Sequence, residues 1–310
     1  MKVTTTLAAD ASVLTRTRVA DYLELTKPRV AVLVLFTVLA GALLAARGSL
    51  DLMVLLHTLA GTTLVAAGAS ALNQLLERHS DALMRRTENR PLPAGRLHPS
   101  EVLGFGCGLG FAGVVYLLAA LDRPWAALVA AATFLCYVCV YTPLKRLTPL
   151  NTLIGAVPGA LPPVIGWTAV RGSLGLEVLV LFGIVFLWQI PHFLAIAWIY
   201  RDDYARARMR MLPVADRNGV HTGRQMLAYC IALLPVSLAP VFIGGAGLLY
   251  LIGALALGTG FLMRAVGFAR NCSNLEARRV LRASLIYLPA LLALLLADGA
   301  ASTAALALWR

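Results

Sequence analysis

The chain has 310 residues, of which 59% are hydrophobic and only 14% charged, and its mean hydropathy is +0.78. So little polar cover cannot hide so much apolar surface from water, which excludes a soluble globule. The net charge of +12 would suit nucleic acid only if the cations gathered on one water-facing surface; here they rim apolar segments, so nucleic acid is excluded as a partner.

In chain order, residues 1–24 carry both signs of charge and no continuous apolar run, as expected of a cytoplasmic N-terminal lead and not of a secretory signal. Apolar windows follow at 30–46, 52–74, 101–121, 124–142, 152–170, 178–200, 225–243, 247–268 and 280–297. Most approach the roughly 17–25 residues that cross hydrocarbon. They are continuously apolar and not alternating, which favours helices over a barrel. The expected fold is all-α: a polytopic membrane protein with nine transmembrane helices. An intramembrane domain is placed at 25–300 and a short non-cytoplasmic tail at 301–310. With a cytoplasmic N-terminus, that side receives 23 of the 27 Lys and Arg residues. Only Arg47, Arg123, Arg171 and Arg310 fall opposite. This bias orients the chain in a cell (inner) membrane. The long charged segments 77–100 and 201–224 share the cytoplasmic face, where chemistry is expected. Cys136 and Cys139 have CxxC spacing in an apolar helix with no second pair, so buried thiols are expected in preference to zinc.

The first polar constellation closes the second window. Asn73, Glu77 and Asp81 are four apart, advancing about 40° and rising about 6 Å per step on a helix, so they share one face. Two carboxylates and an amide oxygen on one stripe suit Mg2+, which completes its shell with water and phosphate oxygens. Arg85, Arg86 and Arg90 follow and suit phosphate oxygens. In YTPLKRLTPLN, residues 141–151, two prolines hold Lys145 and Arg146 near the same mouth,. The Gly and Pro residues from Gly155 to Gly166 predict an irregular fifth span, a feature tolerated where helix lines a cavity. Gln189 and His192 add polarity within the sixth window, and Tyr200, Arg201, Asp202, Asp203 and Tyr204 repeat the acidic-and-basic pattern where it leaves the membrane,.

Several long strings occur in order: LTKPR at 25–29, GASALNQ at 68–74, RTENRPLP at 86–93, YTPLKRLTPLN, GALPPVIGW at 159–167, WQIPHFLAIAWIYRDDY at 188–204 and MLPVAD at 211–216. From Leu25 to Leu296 the chain closely resembles the protoheme IX farnesyltransferases, the heme O synthase branch of the intramembrane prenyltransferase superfamily. The resemblance implies nine helices around a central cavity. It implies transfer of farnesyl from farnesyl diphosphate to the 2-vinyl group of heme B, with addition of water, giving heme O and diphosphate. Asn73, Glu77, Asp81, Asp202 and Asp203 would then hold Mg2+, and Arg85, Arg86, Arg90, Lys145, Arg146 and Arg201 the diphosphate. Asn151, Gln189, His192, Tyr200 and Tyr204 would line the substrate cavity. The implied partners are heme B, farnesyl diphosphate, the lipid bilayer and a downstream heme-modifying enzyme. Glu77 stands where many relatives have Asp, Tyr200 and Tyr204 occupy the outer places of the wider superfamily's second DxxxD motif, and Arg208 replaces a common glycine. The alternatives are an aromatic, quinone-precursor prenyltransferase with identical diphosphate chemistry, and a membrane transporter. Acids gathered at one face, away from mid-membrane, disfavour the transporter.

Overall fold

The computed structural model describes residues 17–46 and 49–308, with side chains described to Gly299. The expectations for residues 1–16 and Arg47, and for the tail side chains including Arg310, lie outside that range. Among the described residues there is no strand, and nine helices are long and apolar enough to cross a membrane. Numbered as spans one to nine, they are Pro28–Ala46, Leu52–Asp81, Pro99–Ala120, Pro124–Leu144, Asn151–Arg171, Leu176–Ile199, Val220–Phe242, Leu248–Arg270 and Asn274–Gly299. The chain is therefore an all-helical, multi-pass membrane protein, as its composition requires. One expectation is corrected: of the five free thiols only Cys230 is buried, whereas Cys107 and Cys139 are exposed on outer faces, where lipid satisfies an apolar thiol as well as a core does.

Span two continues well past its apolar window. Asp51 caps its start by accepting from the backbone N–H of Met53 and Val54,, and the helix runs unbroken for 30 residues to Asp81. That continuity puts Asn73, Glu77 and Asp81 on one face. Span four ends in a π-helical turn at Cys136–Tyr141 followed by Thr142–Leu144. Span five is broken where the sequence predicts irregularity, into Asn151–Ala160 and Pro162–Arg171. It is also the most enclosed span, with 67% of its apolar window buried. Its glycines permit this. A Cβ on Gly166 would meet the Val38 carbonyl oxygen at 1.9 Å, and one on Gly41 the Pro163 carbonyl oxygen at 2.0 Å, so spans one and five touch backbone to backbone,.

The loops at the arginine-rich face are folded. In residues 82–98, Arg96 N–H bonds the Pro91 carbonyl at 2.9 Å, Gly95 takes φ +70°, and Leu92 and Leu97 are buried. Arg96 also grips Asp21 of the short helix Arg18–Leu25 at 2.8 Å. A cluster of Met84, Ala197, Ala207, Met209 and Met211 packs this loop against the segment after span six.

Arg208 closes the short helix Arg201–Arg206 at φ +53°. Its N–H bonds the Ala205 carbonyl and the Met209 N–H bonds that of Tyr204, each at 3.0 Å. These are the paired bonds of a Schellman turn, whose left-handed residue is ordinarily glycine. The glycine that the resemblance implies at this position would have a backbone reason, and Arg208 carries strain there. Arg208→Gly should stabilise the protein by about 1 kcal/mol, raising the melting midpoint by roughly 2 °C. An unchanged or lower midpoint would contradict this reading of the turn.

Candidate functional site

At the arginine-rich end of span two, Asn73, Glu77 and Asp81 are buried, with relative exposures of 1%, 6% and 0%. Each faces a cation from another part of the chain. Lys27 Nζ donates to Asn73 Oδ1 at 2.8 Å, Lys145 Nζ lies 2.7 Å from Glu77 Oε1, and Arg90 donates to Asp81 Oδ2 at 2.7 Å. The Asn73 amide also donates to Thr142 Oγ1 at 3.2 Å, which fixes its oxygen toward Lys27. Arg146 reaches Ser80 Oγ at 2.5 Å, one residue before Asp81. Three cations thus enclose two carboxylates, an excess of positive charge that suits a polyvalent anion.

Two of these groups lie outside the spans and show the field. Burial, with Arg90 and Lys145 close by, pushes the Lys27 ammonium down to about 7, while Glu77 and Asp81 pull it the other way. Burial also opposes charge on Lys145, but Glu77 and the Tyr141 and Tyr137 phenols outweigh it and hold its pKa well above the ordinary lysine value. Its Nζ sits 4.6 Å from the Tyr141 ring centroid,.

Lys27 is the residue of this cluster that sequence reasoning did not single out. It lies inside the LTKPR string, 46 residues from its Asn73 partner. It adopts φ +48°, a region costly for any residue with a Cβ, between the end of the Arg18–Leu25 helix and Pro28. Such strain persists where the surroundings hold a side chain in place. A lysine immediately before a helix-starting proline was the available signal.

The second motif is arranged differently. Asp203 pairs with Arg206 on its own short helix, and Asp202 is exposed. Arg201 turns away, donating to Asn274 Oδ1 at 2.9 Å and lying 4.6 Å from the Trp198 ring. The link to the first motif is Arg86: it donates to the Tyr204 hydroxyl at 2.9 Å, and its guanidinium lies 5.2 and 5.1 Å from the Tyr200 and Tyr204 ring centroids. Arg85 is exposed.

Asn151, Gln189 and His192 have protein partners. The Asn151 amide donates to the Thr148 and Arg210 carbonyls at 2.6 and 2.9 Å, and the Arg210 N–H bonds the Lys145 carbonyl at 2.9 Å, so Asn151 positions the Lys145 loop. Gln189 donates to the Ala156 carbonyl of span five at 2.8 Å. His192 Nδ1 lies 2.8 Å from Ser284 Oγ of span nine, and its ring stacks on Trp188.

Among the described residues no three His, Cys, Asp or Glu side chains converge on one point, so the five expected ligands form no preassembled cage. The first stripe nonetheless fits Mg2+. Asp81 Oδ1 is buried with no hydrogen-bond partner among the described residues, an atom whose desolvation they leave uncompensated. Hard oxygens from Asn73, Glu77 and Asp81 are the donors this ion prefers, with phosphate oxygens and water completing the shell.

The profile of the UbiA prenyltransferase family matches residues 34–288. The chain is 47% identical over 287 residues to a protoheme IX farnesyltransferase of Solibacter usitatus, covering 90% of this chain and 98% of that one. It is 46% identical over 278 residues to one of Salinibacter ruber, again covering 90% and 98%. Among solved structures, a digeranylgeranylglyceryl phosphate synthase superposes with a TM-score of 0.77 at 18% identity, covering 91% of this chain and 98% of that one. A UbiA homologue of Archaeoglobus fulgidus bound to GPP and Mg2+ gives 0.61 at 15% identity, covering 89% and 99%. At these identities the structural likeness shows the fold alone.

Proposed function

The chain belongs to the UbiA prenyltransferase family, and on that premise we propose that it transfers farnesyl from farnesyl diphosphate to the 2-vinyl group of heme B, water adding to give heme O and diphosphate. The acceptor follows from the protoheme IX farnesyltransferases that match nearly its whole length. The observation that carries the chemistry is the buried cluster of Lys27, Arg90 and Lys145 around Glu77 and Asp81, with Asp81 Oδ1 unpartnered.

Asn73, Glu77 and Asp81 would hold Mg2+, which would supply charge neutralisation for the departing diphosphate. Asp202 and Asp203 would be further Mg2+ ligands. Lys27, Arg90 and Lys145 release their present partners to take diphosphate oxygens, and Arg146, Arg86 and Arg85 flank them. With its charge so balanced, diphosphate leaves with the electron pair of the allylic carbon–oxygen bond, and the farnesyl cation is attacked by the vinyl group. Water then adds to the resulting heme cation and loses a proton. The ring faces of Tyr200 and Tyr204, which Arg86 now covers, would be open to the farnesyl cation once that guanidinium takes a diphosphate oxygen. The N-terminus and mouth are cytoplasmic in a cell (inner) membrane. Residues 1–24 form the lead, 25–300 the catalytic domain and 301–310 a tail on the opposite side. The product passes to a heme-modifying enzyme.

An acceptor competition tests this reading. Radiolabelled farnesyl diphosphate and Mg2+ are supplied with equal heme B, 4-hydroxybenzoate and 1,4-dihydroxy-2-naphthoate. Label on the heme is expected; label on either phenol would assign the chain to quinone precursors. The basic residues are separable by kinetics. Arg146→Ala removes a phosphate partner that among the described residues otherwise holds only Ser80, so KM for farnesyl diphosphate should rise roughly tenfold, about 1.4 kcal/mol, with heme B affinity unchanged. Equal loss of both in folded protein would assign Arg146 to heme.

A further inference from the structure

Spans eight and nine enclose a groove of about 640 Å³. Its upper part is lined by Arg264 of span eight and by Arg279 and Arg282 of span nine, and its lower part by Leu257, Gly260 and Ile286. The spacing makes the groove two facing stripes. Leu257, Gly260 and Arg264 succeed one another on span eight, as Arg279, Arg282 and Ile286 do on span nine, all at three- or four-residue steps. Because the helices are antiparallel, the arginines of both meet at one height, about 8–12 Å inside the helix ends at 1.5 Å per residue. That height is the arginine-rich margin of the apolar windows 247–268 and 280–297, which suits a lipid headgroup better than the middle of its acyl chains.

The charge there is unbalanced. Arg279 pairs with Glu276 at 2.5 Å, but among the described residues Arg264 and Arg282 pair with no carboxylate, and both are exposed. Three guanidinium groups in one groove repel unless an anion joins them. The floor is apolar and open: Ile286 is 64% exposed, and a Cβ on Gly260 would meet nothing within 4 Å. In a membrane protein, lipid necessarily fills such a lateral groove. We propose that it is a binding site for an anionic phospholipid, whose phosphate lies among Arg264, Arg279 and Arg282 and whose acyl chain lies along Leu257, Gly260 and Ile286. Basic pockets between transmembrane helices on the positively charged side select anionic headgroups in this way. None of these residues belongs to the farnesyl-transfer site, so the inference stands apart from the acceptor's identity.

Native mass spectrometry of the detergent-solubilised protein, titrated with dioleoylphosphatidylglycerol or dioleoylphosphatidylcholine, tests it. One phosphatidylglycerol adduct held roughly tenfold more tightly than phosphatidylcholine is expected, with a matching rise in melting midpoint. The Arg264→Gln, Arg279→Gln, Arg282→Gln triple variant should bind the two lipids equally. Gly260→Leu, which keeps every arginine and favours helix, should lose the tight adduct by filling the groove. A preference that survives in the triple variant, or an adduct unaffected by Gly260→Leu, would overturn the proposal. So would heme B displacing phosphatidylglycerol from the parent, which would make the groove a substrate site.

Discussion

Asp81→Asn should lower heme O formation by roughly a hundredfold, about 2.7 kcal/mol of transition-state stabilisation. The substitution keeps the size of a fully buried side chain and removes one negative charge from the stripe proposed to hold Mg2+. The structure supplies a competing explanation, because Asp81 also anchors Arg90 at 2.7 Å and so ties down the 82–98 loop. Losing one partner of a buried pair is costly through the charge left behind, although Arg90 retains 22% side-chain exposure and so partial hydration. Asp81→Asn combined with Arg90→Gln separates the two roles. If Asp81 serves only the ion pair, the single variant should lose melting midpoint, the double variant should recover it, and high Mg2+ should not restore the rate of the single variant. If it serves the metal, the loss of rate in the single variant is partly rescued by high Mg2+. A single variant with the parent's rate and the parent's Mg2+ dependence would remove Asp81 from the site.

Gly166→Ala should have the largest effect on the fold. The added methyl would stand 1.9 Å from the Val38 carbonyl oxygen and 2.9 Å from the Ala42 nitrogen, and backbone inside two packed helices cannot step aside as a side chain can. Overpacking of this kind costs roughly 3 kcal/mol. Span five would be pushed off span one, and the monodisperse fraction after solubilisation and the melting midpoint should both fall sharply. Gly104→Ala is the control, since a Cβ there meets nothing within 4 Å and alanine favours helix. Equal melting of the two variants would mean that spans one and five are not held in backbone contact.

The nine spans were legible because apolar length is a one-dimensional property, and Glu77 and Asp81 because four-residue spacing on a helix fixes a shared face. Even the break in span five was visible in its prolines. The cations that meet the stripe were only partly so. Lys145 and Arg90 follow prolines or arginine-rich strings that draw attention, whereas Lys27 owes its position to a left-handed backbone step and to a partner 46 residues away. Polar residues within the spans admit two uses for a different reason. Gln189, His192 and Asn151 each bind carbonyl or hydroxyl groups that tie helices and loops together, and in a membrane the same side chains would serve a substrate cavity. Composition cannot separate those uses, because both require a polar group that pays its desolvation cost with a hydrogen bond. Arg201 is similar: its string suggests the mouth, but Trp198 and Asn274 hold it toward span nine.

The most direct measurement is the mass of the product formed by the purified protein from heme B, farnesyl diphosphate and Mg2+ in 18O-labelled water. One farnesyl group and one solvent-derived oxygen should be gained per heme, with one diphosphate released for each. Unmodified heme B accompanied by diphosphate and labelled farnesol would contradict farnesyl transfer to heme, and would leave the chain a diphosphate-cleaving member of its family with some other acceptor.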